Sequence, residues 1–127
     1  MRIIGHGIDV EEIGAINDQL NSPNLNWAER FCSPEERLQA DSPPVHARYY
    51  AGRFAGKEAV AKALGSGFAG DITWRGIEIV RRQNGAPYVK LSGDVLALAE
   101  SLGITEWFIS ISYANGLATA SVIAVGE

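Results

Sequence analysis

The spacing of apolar residues along the chain changes between a strand-like and a helical period. Residues 1–7 form a short apolar run that predicts a buried strand. Apolar residues at intervals of three and four then predict a helix over about residues 11–20. Asp9 lies at the junction of these two predicted elements. The N-terminal region therefore places a carboxylate where a strand passes into a helix.

Turn and capping residues mark the limits of the next helices. Ser33 is a typical N-cap, Pro34 suits the first helical turn, and Glu36 completes a capping box. Residues 45–64 form the longest predicted helix, which Gly65 ends. These helices fill the first half of the chain.

Strand-like segments lie mainly after residue 70. Alternating or continuous apolar runs predict strands over residues 72–73, 77–82, 87–91, 106–112 and 117–125. Asn84–Gly85 is typical of a tight hairpin turn, and a helix over residues 93–102 separates the two hairpins. We therefore predict a single domain over residues 1–127 of the α+β class, with an antiparallel sheet packed by one long helix and shorter helices.

Composition and charge exclude several classes of protein. Of the 127 residues, 46% are hydrophobic and 20% are charged, as in soluble globular domains. A net charge of -4 argues against general binding to nucleic acid, which requires a basic surface. The sequence shows neither a bilayer-spanning apolar run nor a signal peptide, and the single Cys32 suits a reducing compartment, so we expect a cytoplasmic protein with no membrane partner.

The long predicted helix carries the candidate chemistry. A stripe of very small residues runs along it, formed by Gly52, Gly56, Ala59 and Ala63. Beside the stripe lie the charged residues Arg53, Lys57, Glu58 and Lys62. On the helix alone, Glu58 and Lys62 are favoured as a solvated ion pair four residues apart. The bare stripe points to a close backbone contact, within the chain or between subunits, or to a ligand.

Five segments in this order together form a family pattern. They are Gly7-Ile8-Asp9 followed by Glu12-Ile13, then RFAGKEAVAKALG, Ile77-Glu78-Ile79, Asn84-Gly85-Ala86-Pro87 and Ser110-Ile111-Ser112. The chain thereby resembles bacterial holo-acyl-carrier-protein synthase, the small type of 4'-phosphopantetheinyl transferase. The resemblance covers nearly the whole chain.

The resemblance implies a reaction and a set of roles. The enzyme would transfer 4'-phosphopantetheine from coenzyme A to a serine of apo acyl carrier protein and release adenosine 3',5'-bisphosphate. By position, Asp9 and Glu58 would bind Mg²⁺, and Glu58 or a water that it orients would accept the serine proton. Lys57 and Lys62 would act as catalytic residues that hold phosphate oxygens, and Arg53 would extend this cationic strip.

Further positions resemble family positions near the coenzyme A pocket. They are Gly65, Gly67, Pro87, Ser110, Ser112 and Tyr113. For the glycines and serines, ordinary roles in turns and strands are equally open. Tyr113 stands where the family commonly has a histidine, so it lacks that positive charge at neutral pH.

The first predicted helix departs from the family pattern because it contains no arginine. Acyl carrier proteins are acidic, so the carrier would dock through Arg30, Arg48 or Arg53 instead. The alternative is a non-catalytic coenzyme A-binding or assembly protein of the same fold that has lost carrier docking. The resemblance also implies a homotrimer whose neighbouring subunits share the active site.

Overall fold

Five strands within the described residues, 1–40, 46–65 and 73–127, form two antiparallel sheets next to one long helix. In this computed structural model the strands are β1 (Arg2–Glu12), β2 (Ile77–Arg81), β3 (Pro87–Leu91), β4 (Ile104–Ala114) and β5 (Leu117–Gly126). The helices are α1 (Ile13–Leu20), α2 (Trp27–Phe31), α3 (Pro34–Leu38), α4 (His46–Leu64) and α5 (Gly93–Ser101). One sheet has the order β1-β5-β4 and the other pairs β2 with β3. The predicted α+β class is confirmed.

Strand β1 is longer than the sequence predicts, and the predicted helix start was wrong. Asp9 lies inside β1 rather than at a junction, and α1 begins only at Ile13. The reason is the long β5 strand, which pairs antiparallel with β1 as far as the partners Glu12 and Leu117. This ladder supplies the backbone hydrogen bonds of the segment, so the local helical pattern does not decide its structure.

The helix caps and hairpin turns agree with the sequence. The Ser33 hydroxyl accepts the Glu36 N–H at 3.2 Å, and the Ser33 N–H donates to Glu36 Oε1 at 2.9 Å, which confirms the capping box. The hairpin between β2 and β3 turns at Gly85, whose φ is +88°. The strand predicted over residues 72–73 falls partly outside the described residues. Thr73 is not in a strand; it caps a single 3-10 turn over Trp74–Gly76.

The three-stranded sheet has two different faces. Helix α4 covers one face, which we call the inner face, and the β5 residues under it are Ala118, Ala120, Val122 and Ala124, all 0% exposed. On the outer face, Ile8, Val10 and Phe108 are 53%, 52% and 49% exposed. Because side chains alternate along a strand, neighbours in sequence belong to different faces. This alternation decides which residues can share a site within one chain.

Candidate active site

Glycines and alanines let β1 and α4 touch through their backbones. A methyl group on Gly7 would lie 1.9 Å from the Ala59 carbonyl oxygen, and one on Gly5 would lie 2.1 Å from that of Ala63. The alanines of the bare stripe therefore pack against β1 within the chain. This contact brings Asp9, two residues after Gly7 and on the same face of β1, next to the charged edge of α4.

Lys62 connects the helix to the strand. Its Nζ donates to the Ile8 carbonyl oxygen at 2.8 Å and to Asp9 Oδ1 at 3.2 Å. The Lys62 side chain is 53% exposed, whereas that of Asp9 is 11% exposed. Lys62 therefore pairs with Asp9 on the strand, whereas the helical spacing alone favours a pair with Glu58. Its exposed position leaves it able to contact a bound anion.

Glu58 belongs to the same group of charges. Burial raises the pKa of the half-buried Glu58 carboxyl, the nearby Asp9 charge raises it further, and Lys62 lowers it. The structure thus brings Asp9, Glu58 and Lys62 together from two elements that are far apart in sequence.

Glu11 is a further carboxylate in this group, and it is not among the site residues predicted from the sequence. Burial, a hydrogen bond with Asp9 and the charges of Asp9 and Glu58 together raise the pKa of Glu11 to about 8, while Lys62 lowers it. A helix predicted to begin at Glu11 does not place this residue on the same side of the backbone as Asp9. A strand extended through the segment would have shown that the two lie on one face, because their spacing is two.

The chemistry of this cluster of carboxylates fits a divalent cation. Asp9 Oδ2 is buried and has no hydrogen-bond partner among the described residues. No three His, Cys, Asp or Glu side chains are already arranged as a metal site in the part of the chain that the structure describes. Mg²⁺ does not require such a cage, because it keeps several waters and binds through one or two carboxylates and substrate phosphates. Asp9 and Glu58 therefore suffice as protein ligands.

Lys57 lies in a different environment from Lys62. It is 0% exposed, and its Nζ donates to Glu36 Oε1 at 2.7 Å, to the Trp74 carbonyl oxygen at 2.9 Å and to the Ile77 carbonyl oxygen. An ammonium group has three N–H donors, so these three acceptors occupy all of them. Glu36 is also 0% exposed and accepts the N–H of Ile79 at 2.9 Å. The structure therefore places Lys57 in a core ion pair rather than beside the carboxylates.

The cationic strip predicted on α4 is also interrupted at Arg53. Its side chain is 4% exposed, and its guanidinium carbon lies 4.5 Å from the centre of the Tyr49 ring. Arg48 is exposed instead and stacks at 4.4 Å over Tyr113 of β4, whose hydroxyl lies against Gly52. The exposed cation near Tyr113 is thus Arg48.

The remaining predicted coenzyme A positions are dispersed. Ser110 pairs with Ser121 and lies exposed on the outer face, as Ser112 does. They are therefore on the opposite side of the sheet from Asp9. Pro87 begins β3 in the separate two-stranded sheet, and Gly65 ends α4 with a φ of +80°. The predicted position Gly67 lies outside the described residues.

Comparisons with known proteins agree on one family. The sequence profile described as "4'-phosphopantetheinyl transferase superfamily" matches residues 5–120. The holo-acyl-carrier-protein synthase of Solidesulfovibrio magneticus is 42% identical over 98% of this chain and 99% of its own length.

Solved structures give the same result. The fold is similar to that of the Neisseria meningitidis synthase, with a TM-score of 0.83 and 34% identity over 97% of this chain and 98% of that one. It is also similar to the Helicobacter pylori synthase in complex with coenzyme A, with a TM-score of 0.83 and 30% identity over 94% of this chain and 99% of that one.

Proposed function

Because this chain belongs to the 4'-phosphopantetheinyl transferase superfamily, we propose that Asp9 and Glu58 hold the Mg²⁺ of a holo-acyl-carrier-protein synthase site. The enzyme transfers 4'-phosphopantetheine from coenzyme A to a serine of apo acyl carrier protein. The observation that carries the proposal is the convergence of Asp9, Glu58 and Lys62, in which the buried Asp9 Oδ2 has no hydrogen-bond partner among the described residues.

The reaction is a displacement at phosphorus. The serine hydroxyl oxygen forms a bond to the phosphorus that carries pantetheine, and the bond from that phosphorus to the bridging pyrophosphate oxygen breaks. Adenosine 3',5'-bisphosphate leaves with the electron pair of that bond. Asp9 and Glu58 would hold the Mg²⁺, which when bound would neutralise negative charge on the pyrophosphate oxygens.

The protein residues position the phosphates and accept the proton. Lys62 extends from α4 into solvent and donates to the phosphate oxygens, so it adds positive charge where negative charge develops. Glu58, or a water that it orients, takes the serine proton. The raised pKa of Glu58 makes it a better proton acceptor than an exposed carboxylate. Lys57 takes no part in phosphate binding in this proposal because its donors are engaged in the core.

The outer face of the sheet supports a homotrimer. It exposes the apolar residues Ile8, Val10 and Phe108, and large exposed apolar patches are typical of subunit interfaces. Ser110 and Ser112 lie on this face, so they reach an active site only if a neighbouring copy supplies the other residues. Size-exclusion chromatography with light scattering should give three times the mass of one chain, and a monomer at working concentration would exclude the shared site.

Carrier docking uses an exposed basic residue outside α1. Helix α1 has no basic residue, as the sequence predicts, and Arg53 is buried. Arg30 and Arg48 are both exposed and remain available to an acidic partner. Among the described helices, none is long and apolar enough to cross a membrane. The proposed reaction takes place in the cytoplasm, where coenzyme A and the apo carrier are both present.

The test measures the mass of the carrier protein by mass spectrometry. Apo acyl carrier protein is incubated with the protein, coenzyme A and Mg²⁺, and its mass should rise by one phosphopantetheine. We expect Glu58→Gln and Asp9→Asn to reduce the rate by at least about 100-fold, as for loss of a charge-stabilising group in other enzymes. The control Glu100→Gln changes an exposed carboxylate of α5 and should leave the rate unchanged.

An unchanged carrier mass would favour the non-catalytic coenzyme A-binding protein instead. A normal rate in the folded Glu58→Gln variant would remove the proposed mechanism.

A further inference from the structure

The accessible side of α4 around Glu58 is a narrow ridge. Phe54, Glu58 and Lys62 follow one another at intervals of four residues, so they lie on one face of the helix. Phe54 and Glu58 are half-buried and Lys62 is exposed, whereas the other residues from 55 to 61 are buried. A substrate that reaches Glu58 along α4 therefore also contacts Phe54 or Lys62.

Phe54 belongs to a group of partly exposed aromatic side chains. Its ring centre lies 5.8 Å from that of Phe31 on α2 and 4.9 Å from that of Trp74. All three side chains are half-buried, and we call them the aromatic surface. Trp27, which is 2% exposed, packs against Phe31 and Phe54 with its ring centre 5.4 Å from each of theirs. The aromatic surface is thus a packed apolar patch next to Glu58.

Two exposed arginines border the aromatic surface. The guanidinium carbon of Arg30 lies 5.5 Å from the centre of the Phe31 ring, and this guanidinium makes no hydrogen bond to another described residue. Arg75 follows Trp74 in sequence, and two of its guanidinium nitrogens donate to the Glu29 carbonyl oxygen of α2. Because a guanidinium has five N–H donors, both arginines keep donors for an anion.

Arg48, the other exposed arginine available to an acidic partner, lies away from the aromatic surface. It precedes Glu58 by ten residues, which is about 15 Å along a helix, and it stacks over Tyr113 of β4. Lys62 is the side of the ridge that we assign to the phosphates. In phosphoryl transfer the attacking and leaving oxygens are roughly in line, so the serine comes from the other side, where Phe54 lies.

We propose that the acidic acyl carrier protein docks over the aromatic surface with Arg30 as its main cationic contact, so that its serine reaches Glu58 beside Phe54. The inference rests on the proposed function, which makes Glu58 the point where the two substrates meet. Helix α1 has no basic residue, and Arg30 and Arg75 place positive charge where the negative surface of the carrier arrives. The half-buried rings supply the apolar part of the same interface.

The test separates recognition of the carrier from recognition of coenzyme A. Steady-state kinetics with apo acyl carrier protein give the KM for each substrate. We expect Arg30→Gln to raise the KM for the carrier roughly fivefold, as for loss of one exposed ion pair, and to leave kcat and the KM for coenzyme A unchanged. The matched control is Arg82→Gln, which should behave like the wild type. Arg82 is also exposed, and its guanidinium carbon lies 4.7 Å from the centre of the Tyr88 ring.

Ionic strength gives a second measurement. Added NaCl should raise the KM of the wild type for the carrier, because salt screens exposed charges, and should raise that of Arg30→Gln by a smaller factor. Calorimetric titration of apo carrier into the protein should show the same loss of affinity in Arg30→Gln. An unchanged melting temperature shows that the variant is folded.

The outcomes separate the two proposals. If Arg30→Gln binds and modifies the carrier like the wild type, the docking inference is overturned and the transferase stands. If Arg48→Gln raises the KM for the carrier and Arg30→Gln does not, the carrier docks elsewhere on α4 and the inference is also overturned. If binding depends on Arg30 but the mass of the carrier does not rise with coenzyme A and Mg²⁺, the docking surface stands and the proposed function is wrong.

Discussion

Two clusters of charge lie along the same helix and differ in how their polar atoms are satisfied. The cluster around Lys57 and Glu36 is fully buried, and every donor of the lysine has an acceptor. The cluster around Lys62 is partly exposed and contains the carboxylates of Asp9, Glu11 and Glu58. The first is balanced in charge, whereas the second has an excess of negative charge.

The difference separates a structural lysine, Lys57, from the lysine that we propose to bind phosphate, Lys62, five positions away. A buried ion pair that meets all its hydrogen bonds joins α3, α4 and β2 and offers nothing to a substrate. The second cluster has surplus negative charge and a buried carboxylate oxygen that lacks a hydrogen-bond partner in the described residues, which is the environment that we propose for a divalent cation. The two lysines are of the same residue type and differ in whether the polar atoms around them all have hydrogen-bond partners.

The largest expected effect comes from breaking the buried pair. Lys57→Met leaves the Glu36 carboxylate buried without its cation, and we expect the free energy of unfolding to fall by about 3–5 kcal/mol in urea denaturation. The fraction that remains folded should transfer phosphopantetheine at nearly the normal rate. Its control is Lys90→Met, which breaks the exposed pair with Glu35 and should leave the free energy of unfolding close to that of the wild type, because solvent screens an exposed pair.

Loss of activity in fully folded Lys57→Met would instead support the phosphate-binding role that the sequence suggests for this residue.

A smaller effect should follow from separating β1 from α4. Gly7→Ala places a methyl group 1.9 Å from the Ala59 carbonyl oxygen, so the strand must move. We expect a loss of about 1–3 kcal/mol in stability, and a lower transfer rate because Asp9 moves with the strand. Gly14→Ala is the matched change in α1, where an added methyl meets nothing within 4 Å in the described structure.

That control should stabilise the protein by up to about 1 kcal/mol, since alanine favours a helix. A normal rate and stability for Gly7→Ala would show that the close approach does not position the carboxylates.

Removing Lys62 should affect substrate binding more than folding. Lys62→Ala deletes a side chain that is 53% exposed, so the free energy of unfolding should change by less than about 1 kcal/mol. The KM for coenzyme A should rise roughly tenfold, equivalent to about 1.4 kcal/mol of lost interaction. An unchanged KM would place the phosphates away from this lysine. Lys57 and Lys62 would then differ only in their contribution to the stability of the fold.

The prediction with the smallest effect at neutral pH concerns whether water reaches the buried cluster around Lys57 and Glu36. Cys32 is 0% exposed, and burial raises its pKa from 9.0 to about 12, with the Glu36 charge adding to the shift. A thiol reagent at pH 8 should therefore react only after the protein unfolds. From about pH 9 toward pH 12 the unfolded thiol ionises while the folded one stays protonated, so stability should fall with rising pH.

The free energy of unfolding is measured against pH for the wild type and for Cys32→Ala. The difference between the two curves gives the pH dependence that is due to Cys32. Rapid modification of the native thiol would show that water reaches the cluster.

Much of the candidate site could be predicted because its residues belong to short segments with their own signals. Glu58 and Lys62 are neighbours on one helix, and Asp9 follows a glycine pattern near the N-terminus. Glu11 was missed because the helical period of the following residues extends back over it. The end of β1 depends on β5, which is more than a hundred residues away in sequence.

The sequence by itself determined the helix caps, the hairpin turns and the α+β class, because these depend on neighbouring residues and on local periodicity. Only the tertiary structure decided which charged groups meet. The partner of Lys57 is Glu36 on another helix, and the partner of Lys62 is Asp9 on a strand. Such pairings depend on how closely backbones approach and on what water can reach, and both are properties of the packed chain rather than of any one segment.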